Sequence, residues 1–338
     1  MKKLKLTAMA GIFTSALLLG ACGANNDKAS GAENNTSTDE NTITVYSAGP
    51  GGLAENIQEA FEEETGIKVE MFQSTTGKIL SRLEAESNNP VADVVVLASV
   101  PSMEGLKSED KLQAYEAENG ESINPEWSDS NHYYYGYSAA ALGVTYNTNQ
   151  VDAIDADWDD FSDAEWKGRV AMPDPTSSGS AVDFLYGLTN QTDSGWDTVQ
   201  SWLDNDLLIA GANKEALNSV ITGDKDVVVS AVDYMTYKAK NDGEPVDIYY
   251  PESGTVISPR TAGILADAHN LEGAQAYIDF LLSDTAQQLI ADAYILPGND
   301  AIELNDRAAL SEIPTLPLDL EDIEEKQTET LNKFTSME

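Results

Sequence analysis

The sequence predicts an α/β protein of two lobes with a cleft between them, on three observations. Short β-branched runs alternate with segments of helical period from Ile43 to Ala293. The connections between them are short, which implies parallel sheets covered by helices on both faces. The chain has 338 residues, enough for two such units with separate cores.

Residues 1–21 read as an export signal: Lys2, Lys3 and Lys5 precede an apolar run, Ile12 to Leu19, too short for a membrane span. It ends Leu19-Gly20-Ala21-Cys22, which resembles a bacterial lipoprotein box, so Cys22 is expected to carry the lipid. Residues 22–41 have almost nothing to bury and should form a disordered tether with a reach of about 25 Å. Ile43 to Tyr46 then makes a strand, Ser47 to Gly52 a glycine-rich turn, and Leu53, Ile57 and Phe61 one face of a helix. Ile67 to Phe72 is the second strand, Gln73 to Gly77 the next turn and Lys78 to Glu86 the next helix. Val94 to Leu97 is apolar throughout, as a strand buried on both faces must be. Tyr133 to Tyr146 looks extended and suits a crossing between lobes.

Arg169 to Met172 begins another strand, followed by the loop Pro173 to Ser180 and a helix burying Ala181, Phe184 and Leu185. Leu207 to Ala210 and Val227 to Ala231 read as buried strands, with the helix Lys214 to Ile221 between them. Val256 to Leu265 is extended and apolar. Ala274, Tyr277, Ile278 and Leu281 mark one late helix, and Ala286, Leu289, Ile290 and Ala293 the next. The expected division is 42–137 with 262–310 for the first lobe, 138–261 for the second, and 311–338 as a helical C-terminal tail.

Composition narrows the function. With 58 acidic and 19 basic residues the net charge is −39, and such a surface repels nucleic acid and anionic lipid. The acidity suits a salty or alkaline exterior, where screening relieves self-repulsion. The single Cys22 allows no disulfide framework, and His132 and His269 stand in no catalytic or metal-binding spacing. No Gly-x-Ser-x-Gly elbow is present, which argues against a secreted hydrolase. No catalytic residue, cofactor or metal centre is expected.

Several segments, in order, resemble the extracellular solute-binding proteins of bacterial ABC importers. They are Ile43-Thr-Val-Tyr-Ser47, Phe61-Glu-Glu-Glu-Thr-Gly-Ile-Lys-Val69, Ala92-Asp-Val-Val-Val96, Trp166-Lys-Gly-Arg-Val170, Val232-Asp-Tyr234 and Ala276-Tyr-Ile-Asp-Phe-Leu-Leu-Ser283. The likeness is to the group with ferric, thiamine, aminoethylphosphonate and hexose-phosphate binders. It implies the two-lobed type II periplasmic-binding-protein fold. It further implies a monomeric receptor, lipid-anchored at the outer face of the cytoplasmic membrane, that delivers a small solute to a permease. Ferric-binding members use a histidine, a glutamate and two adjacent tyrosines. By these motifs those positions fall at Pro50, near Ala98, and at Tyr234 and Met235, so only one ligand survives and naked ferric ion is not expected. An iron chelate stays open.

The candidate ligand contacts are loops at helix starts, which aim N–H and O–H donors at one point. They are Ser47, Ala48, Gly49 and Gly51; Thr75, Thr76, Gly77 and Lys78; and Thr176, Ser177, Ser178, Gly179 and Ser180 in the other lobe. Ser99 and Tyr137 are further candidate contacts, and Arg260 could face the cleft as one of few guanidinium groups in the chain. These groups suit phosphate, phosphonate or carboxylate. Asp233 and Tyr234 point instead to an amine or a thiazolium cation, so thiamine or its phosphates are the alternative.

Overall fold

The structure is a computed structural model that describes residues 41–191, 194–317 and 323–337. The expected signal, the lipid site at Cys22 and all of the tether but Asn41 lie outside the described residues. Asn41 is docked: its side-chain amide donates to the Gly66 carbonyl at 2.8 Å.

The chain opens with β1 (Thr42–Ser47), α1 (Gly51–Thr65), β2 (Lys68–Gln73), α2 (Thr76–Ala85), β3 (Val94–Leu97) and α3 (Val100–Ser108). Helix α1 buries Leu53, Ile57 and Phe61, the stripe its spacing dictates, and Gly66 stops it in the left-handed region at φ 72°. β4 (Leu112–Gln113) is followed by the long strand β5 (Tyr135–Asn147). Then come β6 (Val170–Met172), α4 (Gly179–Gln191), α5 (Gly195–Asp204), β7 (Leu208–Ile209), α6 (Asn213–Ile221), β8 (Val227–Val232), α7 (Asp233–Asn241) and β9 (Val246–Tyr249). The return strand β10 (Thr255–Leu265) leads to α8 (Leu271–Leu281), α9 (Asp284–Asp292), β11 (Leu296–Pro297), β12 (Thr315–Leu316) and α10 (Ile323–Met337).

The main strand order is β2-β1-β3-β10-β5-β8-β6-β7. β1 runs parallel to β2 and β3, and β6 runs parallel to β7 and β8. The sheets are not wholly parallel, as the βα alternation suggested, because β10 is antiparallel to β3 and β5 is antiparallel to β8. The reason is topological: β5 carries the chain into the second lobe and β10 must bring it back. Residues 135–141 of β5 pair with β10, whereas 142–147 pair with β8 and β9.

Each lobe has its own core. In the first, Phe61 meets Tyr277 edge to face at 5.1 Å amid Ile43, Val94 and Ile264. In the second, Trp158, Phe184 and Trp202 stack against Leu142 and Val229. Fully burying such a side chain contributes about 1.5–3 kcal/mol. The segment expected as a tail carries α10, whose Phe334 is completely buried in the second core.

Three helices, α3, α5 and α7, have no counterpart in the sequence reading. α3 is short with proline in its first turn, and α7 is mostly polar, so neither shows a strong apolar period. β7 was expected to be buried but is an edge strand with Leu208 38% exposed. Gly136, inside β5, is required by a close approach: an added Cβ would stand 2.3 Å from that of Trp127.

Candidate ligand cleft

Because β2, β3, β6 and β8 each end where a helix begins, α2, α3, α4 and α7 present their first turns at the carboxyl ends of their sheets. Between these ends lies a cavity of about 520 Å³. The first lobe lines it with Thr75, Thr76, Gly77, Ser99 and Ser102, and the second with residues 175–180, Asn213 and Tyr234. The crossing strands supply its floor: Ser258 and Arg260 from β10, and Ala140 of β5, which is paired with Ser258. Ser258 and Arg260 reach the same face because a strand has a period of two. A roomier cavity of about 610 Å³ lies beside Trp127, Ile257 and Leu316, but it contains no charged group except Glu126 and no α-helix start apart from Val100.

Arg260 dominates the cleft. It is 8% exposed, and among the described residues its Nε and Nη1 have no hydrogen-bond partner. Its guanidinium carbon lies 5.2 Å from the centroid of the Tyr234 ring, so the arene steadies the cation while leaving its donors unspent.

The serine loop is organised from within. The Asp174 carboxylate accepts from the Thr176 N–H at 2.8 Å, the Thr176 hydroxyl at 2.7 Å and the Ser177 hydroxyl at 3.4 Å. Ser178 Oγ donates to Asn213 Oδ1 at 2.8 Å and caps α4 by accepting from the Ala181 N–H at 3.3 Å. Asn213 Nδ2 in turn donates to Ser180 Oγ at 3.1 Å. The hydrogen of Ser178 is thereby committed to Asn213, so the 3.0 Å bond between the two serine hydroxyls takes the hydrogen of Ser180. In the first lobe, Thr76 Oγ1 accepts from the Ala98 N–H at 3.3 Å and Ser99 Oγ from the Ser102 N–H at 3.3 Å.

Of the residues singled out in the sequence, Ala48, Thr75, Thr76, Gly77, Ser99, Thr176, Ser177, Ser178, Gly179, Ser180, Tyr234 and Arg260 come together here. The others do not. Ser47, Gly49 and Tyr137 border a separate void of about 10 Å³ under α1, where Ser47 Oγ accepts from the Gly49 N–H at 3.1 Å. Burial pushes the Tyr137 phenol up, with Arg260 opposing the shift. Gly51 is the exposed first residue of α1, and Lys78 is exposed and outside the cleft lining.

Asp233 faces away from the cleft. Its side chain is fully buried, paired with Arg307 at 2.8 Å and capping the Tyr234 N–H at 2.7 Å. The tyrosines at 133–135 pack within the first lobe. Sequence reasoning missed Ser102, Asn213, Val232 and Ser258. Asn213 opens the helix after β7, the same strand-turn-helix pattern that marked the other loops, and Ser258 lies two residues from Arg260.

Behind the cleft, Ser258 Oγ donates to Asp183 at 2.5 Å, and Gln327 Nε2 of α10 donates to the same carboxylate at 2.7 Å. Burial raises the Asp183 carboxyl from 3.8 to about 6, against the pull of those two donors. The folded state therefore holds this proton more tightly than the unfolded chain. Its contribution is fully present below pH 4 and is lost as pH rises to about 6, a change of about 3 kcal/mol at most. We expect Asp183→Asn to raise unfolding free energy at pH 7.5 but not at pH 4, measured by urea titration. An effect independent of pH would refute this role.

The fold and the cleft have relatives. A profile of the family described as bacterial extracellular solute-binding proteins matches residues 89–326. Iron uptake protein A1 of Synechocystis sp. is 24% identical over 310 residues, covering 86% of this chain and 84% of its own. A protein of Salmonella typhimurium named for 2-aminoethylphosphonate binding is 25% identical over 267 residues, covering 75% and 77%. Among solved structures, the periplasmic binding protein AfuA from Actinobacillus pleuropneumoniae, with fructose-6-phosphate bound, superposes with a TM-score of 0.76 at 22% identity. That match covers 88% of this chain and 98% of AfuA.

Proposed function

Because the chain belongs to the bacterial extracellular solute-binding proteins, the substrate-binding components of ABC importers, we propose that its cleft captures a small solute through an oxyanion group. Phosphate monoesters and phosphonates are the ligand chemistries we favour. The observation that carries this reading is Arg260, a buried cation with two donors unmet at the floor of the cleft. A buried guanidinium without partners is costly, and an oxyanion chelated by Nε and a terminal nitrogen relieves that cost. The first-turn N–H groups of α4 add neutral donors from the second lobe. Capture would close the lobes about β5 and β10, and the closed form would be what the permease receives.

The thiamine alternative loses its anchor, since Asp233 is already neutralised by Arg307. For iron, Tyr234 reaches the cleft, but among the described residues no Asp, Glu or His lines the cavity beside it. A hard trivalent cation needs several anionic oxygens.

Native mass spectrometry of protein purified without denaturation, followed by thermal-shift screening, tests the reading. Inorganic phosphate, ethylphosphonate, glycerol phosphate, thiamine and ferric citrate form the first panel. A ligand at 100 times its Kd stabilises by about 2.7 kcal/mol, so a binder should raise the melting temperature clearly. The reading fails if thiamine or the ferric complex shifts the melting temperature and no phosphate or phosphonate does.

We further propose that Cys22 is lipidated and holds the body at the outer face of the membrane. In cells expressing Cys22→Ser the protein should move from the membrane to the soluble fraction. Retention of that variant at the membrane would rule the anchor out.

A further inference from the structure

We infer that the cleft selects against a positively charged group on its ligand, so that its solute is an amine-free oxyanion carrying hydroxyls. This rests on the oxyanion reading above and narrows it. Among the described residues, those that line the cleft include one cation, Arg260, and no Asp, Glu, Lys or His.

Three carboxylates lie near the cleft in the chain or through a hydrogen bond, but none of them lines it. Asp174 is bonded to Thr176 and Ser177. Asp183 is held by Ser258 and Gln327, and Asp233 is paired with Arg307. An ammonium brought into the cleft would be stripped of water beside a like charge, with no carboxylate among the described residues of the lining to replace its hydration.

A hydroxyl meets the opposite situation. Ser258 and Ser178 direct their hydrogens away, to Asp183 and Asn213. Ser258 keeps its lone pairs for the cavity it lines, whereas those of Ser178 already accept from the Ala181 N–H and the Ser180 hydroxyl. Arg260 therefore supplies donors for an oxyanion, and Ser258 supplies an acceptor for a neutral O–H group.

The test uses two matched pairs: ethylphosphonate with 2-aminoethylphosphonate, and glycerol 3-phosphate with phosphoethanolamine. Each is titrated calorimetrically into the wild type, Arg260→Gln and Ser102→Asp at pH 7.5. Ser102 lines the cleft in the first turn of α3, where an aspartate favours the helix, so that variant should fold.

In the wild type the amine-bearing member of each pair should bind at least 10-fold more weakly. In Ser102→Asp that ratio should shrink or invert, because the new carboxylate repels the oxyanion but answers the ammonium. If the phosphates bind, Arg260→Gln weakens them, and the amine members bind as tightly as their partners, the selectivity is overturned while the oxyanion reading stands. If no phosphate or phosphonate binds, or binding ignores Arg260→Gln, both are overturned.

Discussion

Arg260→Gln should weaken oxyanion binding at least 100-fold while leaving the unliganded protein as stable as the wild type or more so. The first half follows from the charge. Truncating one member of a buried, hydrogen-bonded charge pair costs about 2–5 kcal/mol, and 2.7 kcal/mol corresponds to 100-fold. The second half follows from the surroundings that the protein itself provides. There Arg260 is 8% exposed with Nε and Nη1 unmet, a desolvated cation offset only by the Tyr234 ring. Glutamine removes that charge and retains a donor. Arg260→Lys should rescue only part of the affinity, since an ammonium cannot present two parallel donors. The surface charge of −39 repels anions at long range, so wild-type association should quicken as salt screens it. Titration calorimetry and stopped-flow mixing at two salt concentrations read both effects. A variant that binds normally, or that melts well below the wild type, would show that Arg260 serves the fold and not the ligand.

Arg307→Met should destabilise the protein by about 3–5 kcal/mol, because it strands Asp233 as a buried, unpaired carboxylate. Both side chains are fully buried in the wild type. Arg307 also donates to the Tyr294 carbonyl at 2.5 Å and through Nε to the Ala308 carbonyl at 3.0 Å. It thus joins the segment after β11 to the first turn of α7, one residue from Tyr234 in the cleft. Loss of that joint should lower the melting temperature by about 5–10 °C. Asp233→Leu combined with Arg307→Met should recover much of the loss, since replacing both charges with apolar groups removes the desolvation cost. Equal destabilisation in the single and double variants would mean that the pair contributes packing and little electrostatics.

The helix-start loops illustrate what local sequence can reveal about a site. Thr75 to Gly77 and Thr176 to Ser180 carry the hydroxyls and glycine that also serve as ordinary helix caps, and both stretches border the cavity. The loop Ser47 to Gly52 has the same signature, yet only Ala48 reaches the cleft. Ser47, Gly49 and Pro50 border the small void under α1, where Ser47 closes on Gly49, and Gly51 and Gly52 are exposed in the first turn of α1. Asp233 and Arg260 exchanged their expected prominence. Asp233 is met by Arg307, 74 residues away in the chain, whereas Nε and Nη1 of Arg260 have no hydrogen-bond partner among the described residues.

By itself the sequence determined the alternation of strand and helix, the two cores and the long crossing strand. These depend on apolar period and turn residues, which act over a few neighbours. It also determined that the surface is strongly acidic. Only the tertiary structure decided which carboxylates are neutralised, that β5 and β10 run antiparallel through both lobes, and that Asn213 and Ser258 join the site. Those outcomes depend on contacts between residues far apart in the chain. A side chain's charge is written in the sequence, but whether that charge is met is settled by what folding brings beside it.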